Sequence, residues 1–227
     1  MKKLAIGVDI GGTNTAFGLV DDQGNMYGES VISTRQYPDF DQYIEELYIG
    51  IQSLLKQLDI EHELIGVGIG APNANYYRGT IENAANLVWK GVVPVVEKLQ
   101  RFFPSVPVIM TNDAKAAAVG EMVYGGAKGM KDFIVITLGT GLGSGFVANG
   151  QIIYGHDSFA GELGHVIVNH TGRVCGCGRK GCLETYVSAT GIKRTVFKLL
   201  ADHTENSEFR DVSFNDLTAE MITKAAL

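Results

Sequence analysis

The sequence of 227 residues predicts an α/β protein built from two lobes. Short apolar stretches rich in β-branched residues alternate with amphipathic stretches, which is typical of strands that alternate with helices. A unit of strand, glycine-rich turn and strand occurs twice, at residues 4–20 and 132–148. Because repetition of a supersecondary unit indicates related halves, we expect an N-terminal lobe at residues 1–113 and a C-terminal lobe at 114–227.

The sequence predicts six strands and four helices. Strands are expected at residues 3–8, 16–20, 64–69, 108–110, 132–137 and 145–147, and helices at 41–58, 92–103, 114–123 and 219–227. The helix at 41–58 carries apolar residues three or four positions apart, which is typical of an amphipathic helix. Asp41 is its expected N-cap, and Thr218 is expected to cap the last helix.

Composition and charge exclude several classes of protein. Apolar residues make up 45% of the chain and charged residues 19%, which is typical of a globular protein. The net charge of −6 gives no electrostatic reason to expect nucleic acid or an anionic membrane as partner. No apolar run reaches membrane-spanning length, and Asp9 interrupts the first apolar segment before a signal peptide can develop. The expected location is therefore the cytoplasm.

Both glycine turns indicate phosphate binding. Asp9 and Thr13 flank the first turn, at Gly11 and Gly12, and the second turn carries Thr140 and Gly141. Glycine allows backbone N–H groups to approach phosphate oxygens closely. The chain has neither the GxxxxGK[ST] spacing of a P-loop nor a GxGxxG turn that opens a helix.

Two ordinary tight turns remain the alternative explanation of these glycines. If the turns do bind a triphosphate between them, Asp9 is expected to hold Mg²⁺, mostly through water, because Mg²⁺ keeps much of its hydration shell.

Asn112 and Asp113 lie where a strand is expected to end and a helix to begin. Ligands gather at the carboxyl ends of strands in α/β sheets. A carboxylate such as Asp113 can accept the proton of an attacking hydroxyl, and phosphoryl transfer needs little beyond that, alignment and charge neutralisation. The alternative is that Asp113 only caps the following helix.

All three cysteines of the chain lie within a short glycine-rich segment, together with an upstream histidine. A secreted disulfide scaffold would spread an even number of cysteines along the chain, so the clustering favours metal ligation. Three thiolates and one imidazole complete a tetrahedral structural zinc site, which has no open position for catalysis. The expected ligands are His165, Cys175, Cys177 and Cys182. His156 or His170 could replace His165, and three free thiols are the alternative without metal.

Two carboxylates flank this metal segment, Glu162 on one side and Glu184 on the other. Carboxylates accept hydrogen bonds from sugar hydroxyls, and a rigid polar pocket rejects sugars that lack the matching hydroxyl. We therefore interpret both as candidate sugar ligands. The alternative is a pair of solvated surface acids, with Glu184 at the start of a helix.

Segments 162–165 (ELGH) and 175–184 (CGCGRKGCLE) together resemble the signature of the ROK family, which unites repressors, open reading frames and kinases. Segments 9–13 (DIGGT) and 138–141 (LGTG) resemble its phosphate loops, and 86–89 (NLVW) resembles its sugar-side segment. The resemblance covers essentially the whole chain. It implies a two-lobed, actin-like or hexokinase-like fold of the ribonuclease H-like type, with a second lobe that is short by comparison with the family.

The resemblance also implies roles for individual residues. Asp113 is the implied base that deprotonates the sugar 6-hydroxyl. His165 is implied to place one ring nitrogen on zinc and the other toward the sugar. The other implied sugar ligands are Asn86, Asn112, Glu162 and Glu184, and the implied contacts of the ATP phosphates are Gly11, Gly12, Thr13, Thr140 and Gly141.

An ATP-dependent sugar kinase is the implied function, with glucose converted to glucose 6-phosphate and with ATP, Mg²⁺ and structural Zn²⁺ as cofactors. Kinases for fructose, mannose or an N-acylhexosamine are alternatives, because Asn73 stands where the family often has glycine. Alternatives of another class are a sugar-responsive transcriptional regulator and a non-catalytic sugar-binding module. A zinc-ribbon nucleic-acid binder fits the cysteine spacing poorly. A homo-oligomer, dimeric or tetrameric, is expected from the family.

Overall fold

The computed structural model describes residues 1–226. The chain divides into two compact units. Unit 1 comprises Met1–Val135 and Gly145–Ala160, and unit 2 comprises Ile136–Ser144 and Gly161–Leu227. These bounds differ from those of the expected lobes, 1–113 and 114–227, and the lobe assignment stays a prediction.

A five-stranded sheet is the centre of unit 1. Its strands are β1 (Lys2–Ile10), β2 (Asn14–Asp21), β3 (Met26–Ser33), β4 (His62–Ala71) and β8 (Val108–Asn112). They lie in the order β3-β2-β1-β4-β8. The pairs β1–β2 and β2–β3 are antiparallel, whereas β4 runs parallel to both β1 and β8. The carboxyl ends of β1, β4 and β8 therefore meet at one edge of the sheet.

Helix α1 (Phe40–Gln57) packs its apolar face into the core of unit 1, as its sequence pattern predicts. Its N-cap is Asp39, whose side chain accepts a hydrogen bond from the backbone N–H of Gln42. The predicted cap at Asp41 is therefore wrong by two residues. Asp41 lies inside the first turn, where its negative charge still complements the helix dipole.

A small antiparallel sheet follows β4 along the chain. It consists of β5 (Ala74–Asn75), β6 (Thr80–Glu82) and β7 (Val92–Val93), in that order. The predicted helix at 92–103 is wrong at its start, because Val92 and Val93 pair with β6. Helix α2 begins only after Pro94 and spans Val95–Gln100. Helix α3 (Asp113–Val123) follows β8, as predicted.

The apolar core belongs to unit 1. Its buried cluster contains side chains from β1, β2, β4, β8, α1 and α2, together with Trp89 and Leu87 of the segment before β7. Unit 2 buries few apolar side chains among the residues that the structure describes, namely Leu142, Cys175, Cys182 and Leu217. Two of these four are cysteines of the predicted metal segment, so the core of unit 2 cannot be separated from that segment.

A second three-stranded sheet contains β9 (Phe133–Leu138), β10 (Leu142–Ala148) and β11 (Gln151–Ile152), in the order β11-β10-β9. The predicted hairpin around the second glycine turn is confirmed as β9 and β10. Three helices complete the chain: α4 (Glu184–Val187), α5 (Ala189–Asp202) and α6 (Ala219–Ala225). The predicted cap of α6 is confirmed, because the Thr218 side chain accepts from the N–H of Met221. No helix within residues 1–226 is long and apolar enough to cross a membrane.

Candidate active site and metal-binding loop

Unit 1 presents two carboxylates at the carboxyl edge of its sheet. Asp9 lies near the end of β1 and Asp113 at the start of α3, directly after β8. Both line a cavity of about 730 Å³, together with Thr111 and the face of the sheet. Partial desolvation raises the pKa of Asp9, and the charge of Asp113 raises it further. The two acids are therefore close enough to influence each other electrostatically.

The first turn of α3 distributes its capping bonds over two residues. The Asn112 side chain is the N-cap and accepts from the N–H groups of Ala114 (3.0 Å) and Lys115 (3.4 Å). Asp113 Oδ1 accepts from the N–H of Ala114 at 2.8 Å. Because Asn112 occupies the cap position, capping does not by itself account for Asp113. Within residues 1–226, Asp113 Oδ2 has no hydrogen-bond partner and can accept a proton.

The first glycine turn lies between β1 and β2 and is in contact with the sugar-side segment. The Gly11 N–H donates to the Asn14 carbonyl at 2.9 Å and closes the turn. A Cβ added at Gly12 would lie 2.6 Å from the carbonyl oxygen of Asn86, so no other residue fits there without moving that backbone. The predicted phosphate turn and the predicted sugar ligand Asn86 therefore touch within unit 1.

The buried hydroxyl groups of Thr15, Thr34 and Tyr43 form a hydrogen-bonded cluster next to this turn. Thr15 Oγ1 lies 2.9 Å from Thr34 Oγ1 and 2.8 Å from the Tyr43 hydroxyl. Burial raises the pKa of Tyr43 far above its usual value. The Tyr43 ring packs against Trp89, with centroids 4.5 Å apart, and Trp89 Nε1 donates to the Tyr37 carbonyl at 3.0 Å. The same cluster thus holds the turn and the segment that carries Asn86.

Unit 2 contains the second glycine turn, between β9 and β10. The Gly139 N–H donates to the Gly141 carbonyl at 3.1 Å, and the Gly139 carbonyl accepts from the N–H of Ala189. The predicted contact Thr140 is exposed at the tip. Glu184 Oε2 accepts from the Leu142 N–H at 3.4 Å, so this turn lies beside one of the predicted sugar ligands.

The predicted metal ligands converge in unit 2. Ligand atoms of His165, Cys175, Cys177 and Cys182 all lie within 4.8 Å of one another. Cys177 Sγ and Cys182 Sγ are 3.6 Å apart, and Cys175 Sγ lies 3.7 Å from His165 Nδ1. A tetrahedron with zinc–ligand bonds of about 2.1–2.3 Å has edges of roughly 3.4–3.8 Å. The donor set and these two separations therefore fit zinc, and His165, rather than His156 or His170, lies with the cysteines.

Local backbone hydrogen bonds give the predicted metal-binding loop, residues 175–182, its shape. The Cys175 N–H donates to the Arg179 carbonyl, and the Gly178 N–H donates back to the Cys175 carbonyl. Gly181 has a φ of +76°, and a Cβ there would lie 1.6 Å from the Asn169 carbonyl oxygen, so only glycine fits. Burial acts to raise the pKa of Cys177, but hydrogen bonds from Arg179, Cys175 and Cys182 together outweigh it and lower that pKa to about 6. Burial raises the pKa of Cys175 to about 12.

The predicted sugar ligands of unit 2 lie beside this loop or belong to the metal cluster. Glu162 is exposed and precedes the 3₁₀ turn Leu163–His165. A Cβ at Gly164 would lie 2.5 Å from the Leu142 carbonyl and 3.4 Å from Glu184 Cβ, so the glycine allows this turn to pack against both. His165 Nδ1 and Glu184 Oε1 are 3.7 Å apart. Unit 2 thus groups Glu162, His165 and Glu184, whereas Asp9, Asn86, Asn112 and Asp113 belong to unit 1.

Two cationic side chains of unit 1, Arg35 and Lys115, make contacts that the sequence analysis did not predict. Arg35 Nε donates to the Gly12 carbonyl at 3.3 Å. Lys115 is fully buried, and its Nζ donates to the Ser158 carbonyl at 3.1 Å. No sequence pattern pointed to either contact, because each joins positions that are far apart along the chain.

Comparison with known proteins agrees with the motifs. The family model of the ROK family matches residues 5–226. The glucokinase of Streptomyces coelicolor is 40% identical over 192 residues, which cover 84% of this chain and 58% of that protein. The xylose repressor of Caldicellulosiruptor bescii is 30% identical over 223 residues, which cover 97% of this chain and 55% of the repressor.

Among solved structures, a ROK family glucokinase from Streptomyces griseus in complex with glucose and AMPPNP superposes with a TM-score of 0.76 at 33% identity. The match covers 98% of this chain and 70% of that chain. The predicted actin-like, hexokinase-like α/β fold is thereby confirmed. This chain spans 58% of the length of the S. coelicolor glucokinase. A family match across nearly every residue, together with this fold and a Cys₃His cluster, shows that the chain belongs to the ROK family.

Proposed function

We propose that this chain is an ATP-dependent hexose kinase that phosphorylates the 6-hydroxyl of glucose. The observation that carries the proposal is the position of Asp113, an accessible carboxylate at the carboxyl edge of the sheet whose Oδ2 has no partner within residues 1–226. The 40% identity to a glucokinase supports glucose as the sugar.

In the proposed reaction, Asp113 accepts the proton of the sugar 6-hydroxyl. The hydroxyl oxygen forms a bond to the γ-phosphorus, and the bond from that phosphorus to the β,γ-bridging oxygen breaks, which releases ADP. Asn86, Asn112, Glu162, His165 and Glu184 are the proposed ligands of the sugar hydroxyls. Gly11, Gly12, Thr13, Thr140 and Gly141 are the proposed contacts of the phosphates.

Two metals have separate proposed roles. Asp9 would hold Mg²⁺, which neutralises phosphate charge when it is bound. His165, Cys175, Cys177 and Cys182 would hold Zn²⁺, which orders the loop between Glu162 and Glu184 and takes no part in the reaction. Nδ1 of His165 lies 3.7 Å from Cys175 Sγ, which leaves Nε2 for the sugar.

The proposal has two kinds of alternative: a different hexose as substrate, and a function other than catalysis. Fructose, mannose or an N-acylhexosamine would replace glucose if the sugar-side segment around Asn73 and Asn86 selects them. The similarity to a xylose repressor favours a sugar-responsive regulator as the second candidate, with a non-catalytic sugar-binding module as its variant. We also propose a cytoplasmic homo-oligomer, dimeric or tetrameric, because the family implies it.

The test is ADP formation with Mg-ATP and a panel of hexoses, measured on this chain and on a longer version with the length of its relatives. We expect glucose to give the highest kcat/KM, and mass spectrometry to locate the phosphate at O6. Sugar binding without ADP formation in either version would replace the kinase with the sugar-binding module. Sugar-dependent binding of an operator-like DNA by the longer version would favour the regulator.

A further inference from the structure

Arg35 places an exposed cation beside the first glycine turn. It lies in the 3₁₀ turn Thr34–Gln36, directly after β3. Its Nε donates to the Gly12 carbonyl at 3.3 Å. A guanidinium carries five N–H donors. Both Nη atoms of Arg35 are without a partner in the part of the chain that the structure describes, and they can bind a ligand at this turn.

The backbone that carries Arg35 is fixed to the same turn. The Thr34 N–H donates to the Thr13 carbonyl at 2.9 Å. The Thr34 hydroxyl is buried and bonded to Thr15, which is bonded in turn to the fully buried Tyr43. A side chain that starts from such a fixed point loses less conformational entropy when it binds a ligand.

The turn itself offers further donors to an anion. The N–H groups of Gly12 and Thr13 have no acceptor within residues 1–226. Asp9 precedes Gly11 by two residues and lines one cavity with Asp113, so a polyphosphate at this turn would carry charge of the same sign as these two carboxylates. Because like charges repel, a positive side chain at the turn would offset part of this charge, in addition to the proposed Mg²⁺.

Two lysines of unit 1, Lys90 and Lys115, already have acceptors. Lys90 Nζ donates to the carbonyl groups of Leu87 (2.8 Å) and Ala85 (3.4 Å). Lys115 is buried and donates to the Ser158 carbonyl. Arg35, in contrast, uses one donor to hold its position and keeps the two Nη groups for a ligand.

We propose that Arg35 binds the terminal phosphates of the phosphoryl donor, acting together with the N–H groups of Gly12 and Thr13. The planar guanidinium presents parallel N–H groups that match two oxygens of one phosphate. This assignment rests on the proposed kinase function, since it names a residue that would bind the donor in that reaction.

Binding of inorganic tripolyphosphate and of Mg-ATP, measured by calorimetry, tests the assignment. The proteins compared are the unmodified chain, Arg35→Gln, Arg35→Lys and Arg101→Gln. Arg101 is a matched control, because it is an exposed arginine paired with Glu97 on α2. Circular dichroism and thermal unfolding establish that each variant is folded.

We expect Arg35→Gln to lower the affinity for both ligands about tenfold, because the substitution removes a charge-assisted hydrogen bond. Arg35→Lys should recover only part of the loss, since an ammonium cannot bind two oxygens in parallel. Arg101→Gln should bind as the unmodified chain does, and glucose affinity should be equal in all four proteins.

Three outcomes overturn the assignment: equal ligand affinity for Arg35→Gln and Arg101→Gln, full recovery in Arg35→Lys, or no binding of either ligand by the unmodified chain. Failure of the kinase proposal looks different. In that case tripolyphosphate binding would still depend on Arg35, while no hexose would increase ADP formation.

Discussion

Units 1 and 2 hold their site residues by different means. In unit 1, Asp9 and Asp113 stand at the edge of a sheet whose strands and helices share one large buried apolar cluster. In unit 2, Glu162 and Glu184 flank a loop that has little apolar support, and its four clustered donors are the residues that would bind zinc. Apolar burial stabilises a fold without any ligand, whereas a metal cluster does so only when the ion is bound. The two units should therefore respond oppositely to loss of metal and to damage of the core.

Removal of zinc should have the largest effect. Treatment of the zinc-loaded chain with a chelator should abolish hydrogen-exchange protection around residues 163–187 of unit 2, because metal binding can contribute on the order of 10 kcal/mol to a small zinc domain. Protection of β1 and β4 in unit 1 should be unchanged. Cys182→Ser should resemble the chelated chain and show no further loss with chelator. Full protection of unit 2 after metal removal would contradict the contrast between the units.

Asp113→Asn should come next. It should lower turnover by a factor of roughly 10² to 10⁴, because it removes the proposed general base. Glucose affinity and thermal stability should stay close to those of the unmodified chain. Asp59→Asn, an exposed acid in the same unit, serves as the control and should keep full turnover. Equal turnover in the two variants would remove the assignment of Asp113 as the base.

Leu47→Ala tests the core of unit 1. Leu47 is fully buried on α1, and its truncation should cost about 2–5 kcal/mol of the free energy of unfolding. Ile49→Ala is the matched control on the same helix, because Ile49 is 57% exposed and should cost less than about 0.5 kcal/mol. Zinc content, measured by atomic absorption, should be equal in both variants. A loss of zinc specific to Leu47→Ala would show that the units do not stabilise themselves separately.

The smallest effect concerns acid stability at Asp21. The side-chain amide of Asn25 holds the pKa of Asp21 well below its usual value, with further bonds from Lys2 and Gln23. An acid with a depressed pKa stabilises the folded state above its unfolded pKa of about 3.9, and this contribution is lost as the pH falls.

Asp21→Asn should therefore be less stable than the unmodified chain at pH 7, and the difference should shrink toward pH 2. Urea unfolding across this range measures both quantities. Asp22→Asn, at the exposed neighbouring position, should show neither effect. A difference that grew on acidification would contradict the sign expected for Asp21.

The glycine hairpins and the metal-binding loop could be predicted because nearby residues determine them. The spacing of three cysteines and one histidine identifies the candidate metal ligands directly. The sequence pattern of strand, glycine turn and strand likewise identifies each hairpin. Strand β3 gives no such signal, because it lies at the edge of its sheet and mixes half-buried with exposed positions. The start of α2 was misplaced because pairing with β6 draws Val92 and Val93 into a sheet, a long-range effect.

At the candidate site, too, contacts between positions far apart along the chain could not be predicted from the sequence. The approach of Arg35 to Gly12 depends on the pairing of β2 with β3, and the fit of Gly12 against Asn86 depends on a segment that folds back over many residues. Residue type predicted which groups could do chemistry. It could not predict which neighbours hold those groups in position.

The fit between Gly12 and Asn86 has a consequence for protein engineering. A redesign of the proposed sugar-side segment that moved the Asn86 carbonyl would also move the backbone that confines Gly12, so we expect the proposed phosphate turn to change with it. Directed evolution toward a new sugar should therefore accumulate compensating substitutions near Thr15, Thr34 and Tyr43, the buried cluster that supports both segments.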